Sequence, residues 1–410
     1  MEILGSVDRR DEALIAGWSM NPDAAGTRLG VEFLLGGHVI GCCVADQFRQ
    51  DLKDAELGDG YSGFAFVPPS FLPRSEIRKI TVRVADSDVV LPLHGDIETD
   101  TPAAAARSRF GGLWIDREDW LDRLALKHRN GEISEALSVA IFRFLRDGYV
   151  VLEQAVPAAC VDRLNAAIDR AWVAPPPGLL IHTFGPDGRY REMPPELAAR
   201  DHSTKLVDLH AHSCAAREAI ASPRVVGFLA AVFEDPPKAF QSLAFWKGSQ
   251  QAIHKDTAYV KVDSDPLHFA ASWLALEDIG AGTGELEYYV GSHRAPDYVF
   301  NRYNKWMGMY VSEHDRFLAS LHEDAAALKH ARSAFLAKKG DVLIWHADLA
   351  HGGSRILHPE RTRRSLVTHF TPARDEPYYR RDTRHTPVEL RGCHFVSEFV
   401  DIGPTSLDEP

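Results

Sequence analysis

Gln251-Ala252-Ile253-His254-Lys255-Asp256 is the stretch on which the fold turns, read together with Trp345-His346-Ala347-Asp348-Leu349-Ala350-His351 far downstream. In extended chain, residues i and i+2 point to the same side, so His254 and Asp256 can face one point. Two imidazoles and one carboxylate on one face of a metal, with three positions left open, are the ligand set of non-haem Fe(II) oxygenases. The tripeptide alone is weak evidence, since His94-Gly95-Asp96, His322-Glu323-Asp324 and His346-Ala347-Asp348 share its form. His94 sits at the end of a β-rich segment beside a linker, and His322 lies in a helical stretch, where positions i and i+2 diverge by about 200°. His346, Asp348 and His351 form a local alternative, but one short strand wraps an ion poorly without a partner strand. His254 and Asp256 with a distant His351 are therefore favoured. Taken singly, each histidine is more often a hydrogen-bonded core residue and each Asp a turn residue; the joint pattern carries the weight.

Working outward, Arg361, Arg363 and Arg364 follow His351 closely. A buried dicarboxylate calls for a bidentate guanidinium. Strand alternation puts Arg363 and Ser365 on one face and Arg364 on the other, so Arg363 with Ser365 is the expected anchor, with Arg364 and Arg361 as alternatives.

Strand-like runs recur from Lys238 to Phe370: Leu243–Trp246, Ala258–Val262, Phe269–Leu276, Leu286–Val290, Val342–His346 and Ser365–Phe370. One long interruption, residues 294–333, carries Phe317, Leu318, Leu321 and Leu328 at helical spacing and is a candidate lid. Upstream, Ile133, Leu137, Ile141 and Phe144 mark a helix stopped at Asp147-Gly148. Tyr149–Leu152 then reads as a buried strand, and Val161, Leu164, Ile168 and Trp172 line a second helix ended by Pro175-Pro176-Pro177. Helices outside a mostly antiparallel sheet are the expected arrangement. Residues 1–95 show short strands (Val31–Leu35, Val39–Ala45, Phe64–Val67, Ile80–Ala85) with glycine turns, a small β-sandwich-like module. Residues 96–130 read as linker and connecting segment, and 131–400 as the metal-binding domain.

The 410 residues are 45% hydrophobic and 25% charged, with a net charge of −12. Such a balance argues against a nucleic-acid partner, which needs clustered Lys and Arg. No apolar run reaches about eighteen residues and no secretion signal opens the chain, so a cytoplasmic protein without a membrane span is expected. Cys42, Cys43, Cys160, Cys214 and Cys393 are odd in number and lack a CxxC spacing, which fits reduced thiols.

Residues from about Asp147 to Phe370 resemble the phytanoyl-CoA dioxygenase family. The resemblance rests on an ordered series: Asp147-Gly-Tyr-Val-Val-Leu-Glu153, Phe245-Trp-Lys247, Gln251-Ala-Ile-His254-Lys-Asp256, Trp273-Leu-Ala-Leu-Glu-Asp278, Gly284-Glu-Leu286, Gly291-Ser-His293 and Trp345-His-Ala-Asp-Leu-Ala-His351-Gly352. It implies a double-stranded β-helix of jelly-roll, cupin-like form, with Fe(II) on His254, Asp256 and His351. It implies 2-oxoglutarate held by Arg363 and Ser365, with Lys247, Trp273 and Gln251 beside it, O2 as oxidant, and release of succinate and CO2. His346 is then a neighbour of the metal, not a ligand. Asp256 also favours hydroxylation over halogenation, which would need the carboxylate position vacated for halide. The N-terminal segment, with Gly17-Trp18, Phe48-Arg49-x-Asp51-Leu52 and Gly58-Asp-Gly-Tyr-Ser-Gly63-Phe64, resembles a β-module attached to bacterial surface-polysaccharide enzymes, which points the substrate towards a small molecule or sugar-linked precursor. Tyr378-Tyr379-Arg380-Arg381 and Arg384 are a late basic and aromatic cluster that an anionic substrate could meet. Two other readings stay open: a non-catalytic glycan-binding scaffold on the same fold, and a cupin-like metalloenzyme that does not use 2-oxoglutarate.

Overall fold

A computed structural model describes residues 3–93 (except 12, 25, 70 and 73), 110–183 (except 118), 190–194, 204–378, 387–402 and 407. His94 and Asp96, the linker up to Ser108, and Tyr379, Arg380, Arg381 and Arg384 lie outside the described residues. The chain forms two compact units, residues 1–105 with 117–142, and 106–116 with 143–410.

In the first unit, β1 (Leu4–Arg10), β2 (Ile15–Met20), β5 (Gln47–Phe48) and β6 (Tyr61–Phe66) make one sheet in the order β1-β2-β6-β5. The second sheet has β4 (His38–Val44), β3 (Gly30–Leu35) and β7 (Thr81–Val84) in the order β4-β3-β7. Phe33 of one sheet stacks on Phe66 of the other at 4.2 Å and meets Phe64 edge-on at 5.9 Å, so aromatic rings fill the space between the sheets. The helix Trp120–Arg129, which falls where connecting segment was expected, clusters with this unit.

The second unit is mainly β with flanking helices, a double-stranded β-helix. The helix Glu135–Asp147, whose residues up to Phe142 cluster with the first unit, starts after Ser134, whose hydroxyl accepts from Leu137 N, and stops where Gly148 takes φ +81°. β8 (Tyr149–Leu152) follows, then the helix Ala158–Val173. The remaining strands are β9 (Leu180–Thr183), β10 (Tyr190–Glu192), β11 (Thr204–Val207), β12 (Pro237–Phe245), β13 (Ala270–Ala275), β14 (Leu286–Tyr289), β15 (Arg332–Phe335), β16 (Val342–His346), β17 (His351–Gly353), β18 (Ser365–Pro372), β19 (Val388–Leu390) and β20 (Cys393–Phe395). The large sheet runs β10-β9-β11-β12-β18-β13-β16-β8, and a small sheet runs β15-β14-β17. Neighbours along both paths are antiparallel; β20 adds to β12 in parallel. Trp273, Trp345, Leu343, Leu286, Tyr288 and Phe335 pack between the two sheets.

One expected strand needs correction. Ala258–Val262 is not a strand: the Asp256 carbonyl accepts from both Tyr259 N and Val260 N, which turns the chain into a 3-10 helix at Asp256–Ala258. Within the interruption at 294–333, the helix spans His314–Ala327; Phe317 and Leu321 are buried on Ile253, Ala258 and Ala350, whereas Leu328 is half exposed. The insertion therefore already covers residues that flank His254, Asp256 and His351.

Candidate metal centre and anion pocket

The two ligand arms meet by backbone pairing. His254 N donates to His351 O at 2.8 Å and His351 N to His254 O at 2.9 Å, an isolated bridge between otherwise remote segments. Lys255 is extended (φ −109°, ψ 135°), so the side chains of His254 and Asp256 project to one side, as the alternation rule requires. The imidazole centroids are 4.5 Å apart, and Asp256 Oδ1 lies 3.5 Å from His254 Nε2 and 3.7 Å from His351 Nε2. One potential ligand atom from each of the three side chains falls within 4.8 Å of the others, and all three residues are buried.

The surrounding groups decide which atoms face inward. His254 Nδ1 donates to the Ala252 carbonyl at 2.8 Å and His351 Nδ1 to the Leu349 carbonyl at 2.9 Å. A carbonyl only accepts, so both rings carry a proton on Nδ1 and turn Nε2 to the common point. Trp345 Nε1 donates to Asp256 Oδ2 at 2.8 Å, and His369 Nε2 lies 3.3 Å from the same oxygen. Oδ1 is thereby left for a ligand bond. Burial would raise the Asp256 carboxyl, but the imidazoles of His351, His369 and His254 hold it well below the usual carboxylate range. Burial pushes His351 down to about 4, so its ring is neutral near pH 7. A divalent ion that accepts two neutral imidazoles and one carboxylate fits this donor set.

The local alternative fails on geometry. His346 Nε2 is 2.7 Å from Asp116 Oδ1, and Asp348 accepts from Thr257 and Lys305. His322 Nδ1 pairs with the Tyr289 hydroxyl at 2.9 Å.

His254, Asp256 and His351 open onto a cavity of about 370 Å³ lined by both sheets. Arg363 lies in its wall, 3% exposed, with Nε donating to Gly284 O at 3.0 Å and Nη1 to Ser365 Oγ at 2.5 Å. Its guanidinium sits 5.4 Å from the ring centroids of both Phe245 and Trp273. Burial lowers Arg363 to about 10, which leaves it charged at neutral pH, yet no carboxylate among the described residues forms an ion pair with it. A buried cation without a partner is costly, and a carboxylate ligand would relieve that cost. Arg364 turns away, pairing with Asp169 at 3.0 Å and lying over Trp246, and the Arg361 guanidinium packs at Gly280.

Gln251 and Trp273 line the cavity, with Gln251 Nε2 at 3.2 Å from His254 Nε2. Lys247 does not: its ammonium donates to the Pro359 carbonyl outside the cavity, because it follows the end of β12 where the chain leaves the sheet. Lys205 of β11 is in the cavity wall instead, pushed down to about 8 by burial. Sequence reasoning also missed His369, Tyr259 and the bond from Trp345. His369 was accessible by alternation, since Ser365, Val367 and His369 share one face of β18 and Arg363 lies two residues before its start. Lys205 carried no sequence signal, because its place depends on the pairing of β11 with β12.

A family model described as phytanoyl-CoA dioxygenase matches residues 144–365, more than half of the chain. No curated protein matches. Among solved structures, the non-heme alpha ketoglutarate dependent epimerase SnoN from nogalamycin biosynthesis is similar at 16% identity, covering 63% of this chain and 98% of that one, with a TM-score of 0.44. The carbocyclase SnoK from the same biosynthesis is similar at 18% identity over 60% and 87%, TM-score 0.46. EctD from S. alaskensis with 2-oxoglutarate and 5-hydroxyectoine is similar at 19% identity over 63% and 86%, TM-score 0.45.

Proposed function

This chain belongs to the phytanoyl-CoA dioxygenase family, and from that premise we propose that it is a 2-oxoglutarate-dependent oxygenase that hydroxylates a small molecule or sugar-linked precursor in the cavity between its sheets. Iron and 2-oxoglutarate are its cofactors, and together with O2 they supply oxidative decarboxylation to succinate and CO2 coupled to substrate oxidation. The rest of the work falls to the chain. His254, Asp256 and His351 would hold the metal through two imidazoles and a carboxylate. Trp345 and His369 orient Asp256. Arg363, clamped by Phe245 and Trp273 and joined to Ser365, binds the distal carboxylate. The insertion, whose Phe317 and Leu321 cover Ile253, Ala258 and Ala350, excludes water from the back of the ligand arms.

The observation that carries this reading is the pairing, in one cavity, of a His-Asp-His set with a buried guanidinium that forms no ion pair with a carboxylate among the described residues. Retention of Asp256 supports hydroxylation over halogenation, and a cavity of about 370 Å³ suits a small substrate. The test is an anaerobic titration with Fe(II) and 2-oxoglutarate, followed by exposure to oxygen and measurement of succinate. The expected result is saturable binding of both, then succinate formed in step with 2-oxoglutarate loss. Metal binding without 2-oxoglutarate binding would favour a cupin-like enzyme, and binding of both without succinate a non-catalytic scaffold.

A further inference from the structure

Asp256 lies beyond the backbone bridge that joins the two arms, at the start of a 3-10 turn; Trp345 and His369 hold its carboxylate, but something other than strand pairing must fix the backbone of that turn relative to His351. A buried set of charges lies where that link is needed. Asp348, 1% exposed and three residues before His351, accepts from Thr257 Oγ1 through Oδ1 at 2.6 Å and from Lys305 Nζ through Oδ2 at 2.5 Å. Lys255 Nζ is 3.7 Å from the same Oδ2 and makes no hydrogen bond. Lys305 also donates to Asp297. Two ammonium groups and two carboxylates thus balance in the interior.

The origin of each member matters. Lys255 and Thr257 flank Asp256 in sequence, and Asp348 belongs to the arm that ends at His351. Lys305 and Asp297 come from the insertion, whose next residues reinforce the same seat: the Lys261 ammonium lies 4.9 Å over the Trp306 ring, and Met307 N donates to Ala258 O at 2.9 Å.

We propose that Lys305 and Asp348 are positioning residues of the metal centre: Lys305, from the insertion, holds Asp348, and Asp348 through Thr257 fixes the Asp256 arm against the His351 arm. This rests on the metal-centre reading above. Without Lys305, the carboxylates of Asp348 and Asp297 are left in the interior with Lys255 too far for a hydrogen bond, and breaking such a pair by removing one partner is strongly unfavourable. Asp348 then turns towards water and releases Thr257, and the three donor atoms lose their common focus. Groups behind metal ligands typically alter metal affinity by about 10–100-fold.

The test measures anaerobic Co(II) affinity and the visible ligand-field spectrum of bound Co(II) in the full chain, for wild type, Lys305→Met, Thr257→Val and the double variant. Met keeps most of the lysine stem, and Val keeps the shape of threonine, so each substitution removes chiefly the polar contact. We expect each single variant to weaken Co(II) binding by about tenfold or more and to shift the spectrum, and the double variant to be little worse than Lys305→Met, because both changes cut one path. A merely structural role would lower apo-protein stability and leave the affinity and spectrum of the folded protein unchanged. Folded variants with wild-type Co(II) affinity and spectrum would overturn the proposal, as would fully additive losses; should Lys305→Met fail to fold, Thr257→Val decides alone. A wild-type protein that does not bind Co(II) would sink the metal-centre reading itself, a distinct outcome.

Discussion

At the scale of single residues, the site is defined by which atoms are already engaged. The Nδ1 atoms of His254 and His351 are committed to backbone carbonyls, and Asp256 Oδ2 to Trp345, so the atoms left over are the ones that converge. Trp345→Phe removes that indole donor while keeping an aromatic ring against His351. It should lower Fe(II) affinity by about tenfold, the lower end of what groups behind ligands contribute, as read by anaerobic competition with a metallochromic chelator; unchanged affinity would show that Trp345 only fills space. Arg363→Ala should raise the 2-oxoglutarate dissociation constant by about 100-fold or more, the worth of a charged bidentate pair in a dry site, and leave metal retention intact. Wild-type 2-oxoglutarate affinity in that variant would mean that another cation, Lys205 foremost, anchors the co-substrate. At this scale the shared face of His254 and Asp256, and that of Arg363 and Ser365, were legible from the two-residue period of extended chain. Lys247 was misplaced because a motif position specifies order along the chain, not the direction in which a side chain leaves a strand end.

Among elements, the ligand arms depend on close backbone contact. A Cβ on Gly352 would meet the Gln251 carbonyl oxygen at 2.7 Å and Ile253 N at 2.9 Å, so only glycine lets β17 lie against the 251–254 segment. Gly352→Ala should push the arms apart and cost Fe(II) binding more than overall helix or strand content, measured by metal titration beside far-ultraviolet circular dichroism. Retained binding would show that the arms tolerate the separation. Strands such as β13, β16 and β18 were legible to within a residue or two. The segment after Asp256 was not: Ala258–Val262 has strand composition, but two backbone N–H groups donating to the Asp256 carbonyl turn it, a local choice that apolar content does not encode. The insertion helix was legible from Phe317 and Leu321, whereas its role in covering Ile253 and Ala350 depends on tertiary contact.

For the molecule as a whole, the sheet order β10-β9-β11-β12-β18-β13-β16-β8 interleaves strands far apart in sequence, and no local pattern encodes such an order. The order of the family motifs did encode it indirectly, which is why the double-stranded β-helix could be anticipated and the position of Lys205 could not. Because the ligand arms are joined only in the folded state, metal should stabilise the protein by mass action, by about 2.7 kcal/mol at a free concentration 100 times the dissociation constant. That predicts a rise of several degrees in the unfolding temperature on adding Mn(II) anaerobically, absent in Asp256→Ala. The most direct test of the account is the iron content of the His351→Ala variant after anaerobic loading and desalting. The account predicts one iron per chain in wild type and almost none in the variant; a folded His351→Ala protein that keeps iron at wild-type stoichiometry would contradict it.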